Sequence, residues 1–221
     1  MERTREFRYV GPPKASTVRS IGAVCGYLAA VVNIIAFVWY GHGVLAGTVE
    51  TNPLSWWMWL TETGVGLAIY IDRTRDLSKW SAEAVSMVGV TAVAGYLTVM
   101  AFIGHAKTVL ISVAPVDYGA TVAAAGAFVI WLSTRERHGA GIAILVFQIA
   151  LVAAAFPLIR AAHANPLAEP FGPWALWTVA YGLQLLCAGL RLDGPGALWN
   201  PLNYTLTHGA VAWIVWQGAA L

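Results

Sequence analysis

A single carboxylate, Glu62, stands in the middle of the apolar stretch Asn52 to Tyr70 (NPLSWWMWLTETGVGLAIY), which opens on three tryptophans. Nineteen helical residues at a rise of about 1.5 Å each nearly cross a hydrocarbon core of roughly 30 Å, so Glu62 falls near the midplane, where charge is costly. An acid there can titrate a proton or bind a cation, with its protonation readily coupled to conformation. The alternative is a structural acid, kept protonated and hydrogen-bonded to a neighbouring helix.

Polar groups in a bilayer core need partners or water, so the few within apolar runs are the other candidates. Asn33, Gln148, Gln184 and His208 fall at about the depth of Glu62 and form with it one broad central layer. Near the C-terminus, Asn200, Asn203, Tyr204, Thr207 and His208 follow at separations of three, four, seven and eight from Asn200, which places them along one helical face that must be wet or paired. His208 can pair with Glu62 to bind and release a proton near neutral pH, or donate to a backbone carbonyl or to Thr205. Trp59 and Trp177 lie deeper than the other tryptophans, which cluster near span ends (Trp39, Trp56, Trp57, Trp80, Trp174, Trp199) and read as an interfacial belt. Gly64, Gly66, Gly182 and Gly189 read as sites of close helix packing.

A second constellation points to another class of protein. His42, His105 and His163 close the first, third and fifth apolar runs beside Glu50, Asp117 and Glu169. Three imidazoles and a carboxylate could hold zinc and activate water, and a pair could ligate haem, although no HExxH or HxxxH spacing is present. A membrane-embedded metal or haem enzyme is therefore the main alternative to transport, and a non-transporting receptor or assembly subunit is the other. Cys25 and Cys187 have no ligand-like spacing and read as packing residues. Retinal chemistry is excluded, because Lys14, Lys79 and Lys107 all lie in connections. Phosphate-binding loops and Ser-His-Asp arrangements are absent, and no basic patch suggests nucleic acid.

The elements that position these residues follow from composition and periodicity. Apolar residues make up 58% of the 221 and charged ones 11%, with a mean hydropathy of +0.65, against about 25% charged in soluble domains. The pattern predicts an all-α integral membrane protein with seven transmembrane helices, at about 20–40, 52–70, 82–104, 118–133, 141–159, 173–190 and 198–221. Residues 1–19 form a basic cytoplasmic segment, and 20–221 a single membrane domain. With the N-terminus inside and the C-terminus outside, eleven of the thirteen Lys and Arg fall on the cytoplasmic face, as the retention of positive charge there requires. The expected setting is the inner or plasma membrane. The expected partners are the lipid bilayer and a small solute or proton, with no cofactor; a homo-oligomer is compatible with the sequence.

One half of the chain echoes the other. Trp56, Trp59 and Gly64 match Trp174, Trp177 and Gly182 at an offset of 118, while Ala36-Phe37 matches Ala155-Phe156, and Trp80-Ser81 matches Trp199-Asn200, at 119. The expected architecture is 3+1+3: repeat 1 at about 20–104, a linker helix at 118–133 and repeat 2 at about 141–221, the two repeats running parallel. This layout, with Phe156-Pro157, Pro170-Phe171 and Tyr181-Gly182, resembles the SWEET and PQ-loop superfamily of sugar, amino-acid and cargo-binding membrane proteins. Val38-Trp39 and Pro157-Leu158 stand where that superfamily carries its Pro-Gln dipeptide. The resemblance implies a solute site between the repeats, lined by Trp59 and Trp177 with Asn200 or Asn203, Ser81 and Ala84 standing at the matching places of the first repeat. Glu62 has Ala180 as its counterpart, so the site is expected to be asymmetric.

Overall fold

The computed structural model describes residues 16–49, 53–73, 76–103, 115–134, 139–191 and 195–220. The basic segment 1–15 and the connections carrying Glu50, Arg75, His105, Lys107, Arg135 and Arg137 lie outside these residues, as does the side chain of Asp117. The described residues are all-helical: α1 (Ser16–Leu45), α2 (Pro53–Arg73), α3 (Leu77–Phe102), α4 (Pro115–Thr134), α5 (Gly139–Ala164), α6 (Phe171–Arg191) and α7 (Pro195–Ala219), with a 3-10 turn at Pro166–Ala168 before α6. Two of them, Thr17–Leu45 and Leu77–Phe102, are long and apolar enough to cross a membrane, with mean hydropathies of 2.3 and 1.8. Large apolar side chains such as Val38, Val88, Phe102 and Leu206 cover the outer surface, which suits hydrocarbon far better than water.

Local chemistry sets several helix ends. Helices α2, α4 and α7 start on Pro53, Pro115 and Pro195, whose fixed φ and missing N–H suit a first helical position. Helix α1 stops where Gly47 takes a φ of +69°. The amide of Thr48 then reaches the carbonyl of Gly43 at 2.9 Å, and that of Gly47 reaches Val44 at 3.2 Å, a Schellman closure that satisfies carbonyls left over at the helix end. Helix α3 is capped by Asp76, whose carboxylate accepts from the Ser78 amide at 3.2 Å.

That cap corrects the expected third span. The helix begins at Leu77 and not at about Ala82, because the charged run before it is helical and capped. Glu83 therefore does not sit at the entrance but lies well inside α3, fully buried.

Helices α1, α3, α2, α5, α7 and α6 follow one another around a ring in that order, α6 returning to α1, and α4 packs outside on α5 and α2. Phe37, Tyr40, Trp56, Trp59, Trp174 and Trp177 fill the middle with rings at centroid distances of 4.8 to 6.4 Å, mostly edge to face as their quadrupoles prefer. Trp56 and Trp174 are thus core residues and not members of an interfacial belt, whereas Trp39, Trp57, Trp199, Trp213 and Trp216 are exposed. Gly182 has open space beside it, and the nearest atoms to a side chain at Gly64 would be at 3.7 Å. The tight approach is at Gly26, where an added Cβ would fall 1.9 Å from the Ser78 carbonyl oxygen.

Candidate functional site

A cavity of about 10 Å³, room for a single water-sized centre, lies inside the ring and is lined by Phe37, Trp56, Trp59, Thr63, Ser86, Val90, Trp177, Tyr181, Tyr204 and His208. Eight of these ten form four pairs separated by 118 positions: Trp59 with Trp177, Thr63 with Tyr181, Ser86 with Tyr204, and Val90 with His208. The sequence echo supplied only the tryptophan pair. On α3 and α7 the lining pairs follow an offset of 118 and not 119, at which Ala82 and Val85, not Ser81 and Ala84, match Asn200 and Asn203 in sequence.

His208 is enclosed by rings. Trp59 stacks on it at 5.3 Å, and Trp174, Trp177, Tyr181 and Tyr204 lie at 5.5, 5.8, 5.2 and 5.8 Å. Its Nδ1 lies 2.7 Å from the Tyr204 carbonyl oxygen. A carbonyl only accepts, so Nδ1 carries the proton and Nε2 is the nitrogen left to exchange one. Of the two arrangements open to His208, the structure contains the backbone bond. Its partner is Tyr204, and no direct bond to Glu62 forms among the described residues.

Glu62 is only 4% exposed, and neither carboxylate oxygen has a hydrogen-bond partner among the described residues. It lies within electrostatic reach of the Tyr204 hydroxyl, as does Glu83, and Thr63 sits beside that hydroxyl. The indole N–H groups of Trp59 and Trp177, also buried, have no acceptor among the described residues. Unmatched polar groups buried in this way are costly to maintain.

The remaining candidates divide. Asn33 donates to the Ala82 carbonyl at 3.0 Å and to Ser86 Oγ at 2.7 Å, and Ser86 Oγ lies 2.7 Å from the Tyr181 hydroxyl, so Asn33 reaches the cavity wall through Ser86. Asn200 donates to Glu83 Oε1 at 2.8 Å, joining α7 to the buried acid that the misplaced start of α3 concealed. Asn203 turns aside to Gln148, donating to its Oε1 at 2.9 Å, and Thr207 bonds back to the Asn203 carbonyl at 2.9 Å. The polar stripe of α7 is therefore split: Asn200, Tyr204 and His208 are buried, while Asn203 and Thr207 are half-buried and their hydroxyl and amide are spent on local bonds. Gln184 leaves the central layer altogether, because it donates to the Lys79 carbonyl in the first turn of α3.

Polar contacts fasten both ends of the helix ring. At the end where α3 begins and α6 finishes, Arg191 meets Asp76 at 2.7 Å and donates to Ser78 Oγ at 2.6 Å. Partial burial works to raise the Asp76 pKa, but the Ser78 hydroxyl, Arg191, the Ser78 amide and Lys79 together hold it below the usual carboxylate value. At the opposite end, Glu169 accepts from Trp174 Nε1 at 3.0 Å and from the Tyr40 hydroxyl at 3.3 Å. Glu169 is thus turned into the core and away from His163. His163 and His42 are exposed at helix ends, His105 lies outside the described residues, and no three His, Cys, Asp or Glu converge on a metal-sized site among the described residues.

No family model, curated protein or solved structure matches this chain.

Proposed function

We propose that the chain is a multi-pass transporter of the cell membrane, moving a small polar solute in a proton-linked cycle. In this reading α1–α3 and α5–α7 are parallel repeats of the SWEET-like and PQ-loop-like kind, α4 is the linker crossing, and the N-terminus faces the cytoplasm. The observation that carries it is the cavity wall, where eight residues pair at one sequence offset between the two halves. The helix ends support the same division: α1 and α5 end at Leu45 and Ala164, α2 and α6 run Pro53–Arg73 and Phe171–Arg191, and α3 and α7 begin at Leu77 and Pro195. Packing repeats as well, α1 lying on α3 and α6 as α5 lies on α7 and α2. Transporters built from such repeats place their site between them near the midplane.

The closed cavity corresponds to an occluded state. Opening towards the cytoplasm separates Arg191 from Asp76 and Ser78, and opening outward separates Glu169 from Tyr40 and Trp174. Trp59 and Trp177 offer donors to the solute from symmetric positions. Glu62 is the ionisable element, carrying its proton when no other positive partner is present, and His208 Nε2 is the second proton site. Protein in liposomes loaded with a pH-sensitive dye tests this directly. Wild-type vesicles should show solute-dependent proton movement, and Glu62→Gln should abolish it while the protein stays folded. Flux unchanged in Glu62→Gln, with only stability reduced, would make the acid structural and sink the mechanism.

A further inference from the structure

A second concavity lies outside the central cavity, in the groove between α1 and α3. It holds about 700 Å³ and is lined from Ile34 to Leu45 on α1 and from Ala84 to Tyr96 on α3, almost wholly by apolar side chains. Both walls are the helices long and apolar enough to cross a membrane, and the rims Ile34, Val38, Leu45 and Val88 are exposed. These stretches of α1 and α3 extend about 17 Å at 1.5 Å per residue, close to one leaflet of a hydrocarbon core roughly 30 Å thick.

The groove stops at mid-depth. Below it Asn33 binds Ala82 and Ser86, Ser81 donates to the Gly26 carbonyl at 3.2 Å, and Gly26 lies against Ser78. A membrane-crossing helix from a second copy packs best on small residues that let backbones approach; this slot is lined mostly by Val, Ile, Leu and aromatic side chains. Its floor is also closed to close backbone approach, because the Phe37 ring already covers Gly89, where an added Cβ would lie 2.3 Å from it. Phe37 lines both the groove and the central cavity, so one ring separates them.

We infer that this groove seats one acyl chain of a bilayer phospholipid, in the leaflet at the C-terminal ends of α1 and α3, with the chain resting on the outer face of Phe37. The seat is independent of whether the central cavity transports anything. It is a fixed site, distinct from the general lipid contact made by the rest of the surface. Position 88, in the groove, and position 122, on α4 outside it, are matched controls, since Val88 and Val122 are both 71% exposed.

The full chain is reconstituted in phosphatidylethanolamine and phosphatidylglycerol vesicles with p-benzoylphenylalanine at position 88 or 122, irradiated, and weighed intact. A phospholipid adduct should form several-fold more at position 88. Gly41→Phe, which fills open space on the groove wall, should bring that yield down to the level at 122; position 38 provides an independent probe should the variant misfold. Equal yields at 88 and 122 would mean general lipid contact only and overturn the inference. A dimer adduct in place of the lipid adduct would overturn it in favour of a second copy.

Discussion

The two halves of the chain line the cavity at one sequence offset but with different side chains. The first half contributes Thr63, Ser86 and Val90; the second contributes Tyr181, Tyr204 and His208 at the same spacing. Only the tryptophans, Trp59 and Trp177, are alike. The buried acids follow the reverse rule, Glu62 and Glu83 lying in the first half opposite Ala180 and Pro201. Buried carboxylates therefore come from the first half, and the aromatic and imidazole rings beside the cavity come largely from the second. On the proposed reading a repeat supplies two matched frames, and proton chemistry needs them filled differently, because two like acids facing each other would repel on ionising.

The largest effect should come from making the halves alike where they differ. His208→Val copies Val90 across the axis, and Glu62→Ala copies Ala180. On the proposed transport reading, each should reduce proton-linked flux by about 10²-fold, the range expected when a positioned proton-transfer group is removed. His208→Val also empties the space between Trp59 and Tyr181, so thermal unfolding in detergent should be followed alongside flux. Flux surviving both changes would mean that the asymmetry has no part in the transport cycle.

A second difference lies in how closely the leading helix of each half packs. Helix α1 is pressed on α3 at Gly26, and packs more extensively on α6 than α5 does on α2. The residue 119 positions on from Gly26 is Leu145. Gly26→Ala forces a methyl into the Ser78 backbone and should destabilise the protein by about 1–3 kcal/mol, the usual range for overpacking. A melting temperature unchanged in Gly26→Ala would show that the α1–α3 contact yields easily.

Much of this arrangement was legible in the sequence, and the misses have physical causes. Seven apolar segments correspond to seven helices among the described residues, two of which are long and apolar enough to cross a membrane. The offset of 118 between Trp59 and Trp177 led to the cavity, since tryptophans are rare enough for an echo to register. The pairs Thr63 with Tyr181 and Val90 with His208 were hidden, because residues that share a place without sharing chemistry leave no echo. Glu83 was missed because Lys79 and Asp76 made the start of α3 look like a loop, when Asp76 is the cap that begins it. Trp56 and Trp174 were misjudged because depth along a helix does not reveal which way a ring faces. Gln184 and Asn203 sat at suggestive positions, but backbone and side-chain partners on α3 and α5 had already claimed them.

A smaller stability effect comes from the polar bridge between halves. Ser86 takes a bond from Asn33 and lies against the Tyr181 hydroxyl. Tyr181→Phe removes one partner and leaves Ser86 still bonded, so it should cost about 1 kcal/mol, whereas Ser86→Ala removes the bonds to both Asn33 and Tyr181 and should cost about 2 kcal/mol. Chemical denaturation of the two variants in the same detergent checks the order; equal losses would place Asn33 outside the bridge.

The smallest effect belongs to the closure at the start of α3, where the two halves differ again: Asp76 takes Arg191 from the second half, while the position one repeat on from Asp76 is Gly194. The pair is partly solvated, so Arg191→Met should cost no more than about 1 kcal/mol. The sign of its pH dependence follows from Asp76, whose pKa is held down in the folded protein. A depressed carboxylate stabilises above its unfolded pKa of about 3.9 and loses that stabilisation as pH falls through the lower folded value. The difference in melting temperature between wild type and Arg191→Met should therefore be constant from neutral pH to about pH 5 and narrow below about pH 4. If transport requires this end to open, the same variant should weaken the closed state and raise the accessibility of a cysteine placed at Ser86 to reagents added from the cytoplasmic side. A variant with the expected loss of stability and no gain in labelling would make the Arg191–Asp76 pair a fastener of the fold, and would leave the gating of the cavity to the Glu169 end.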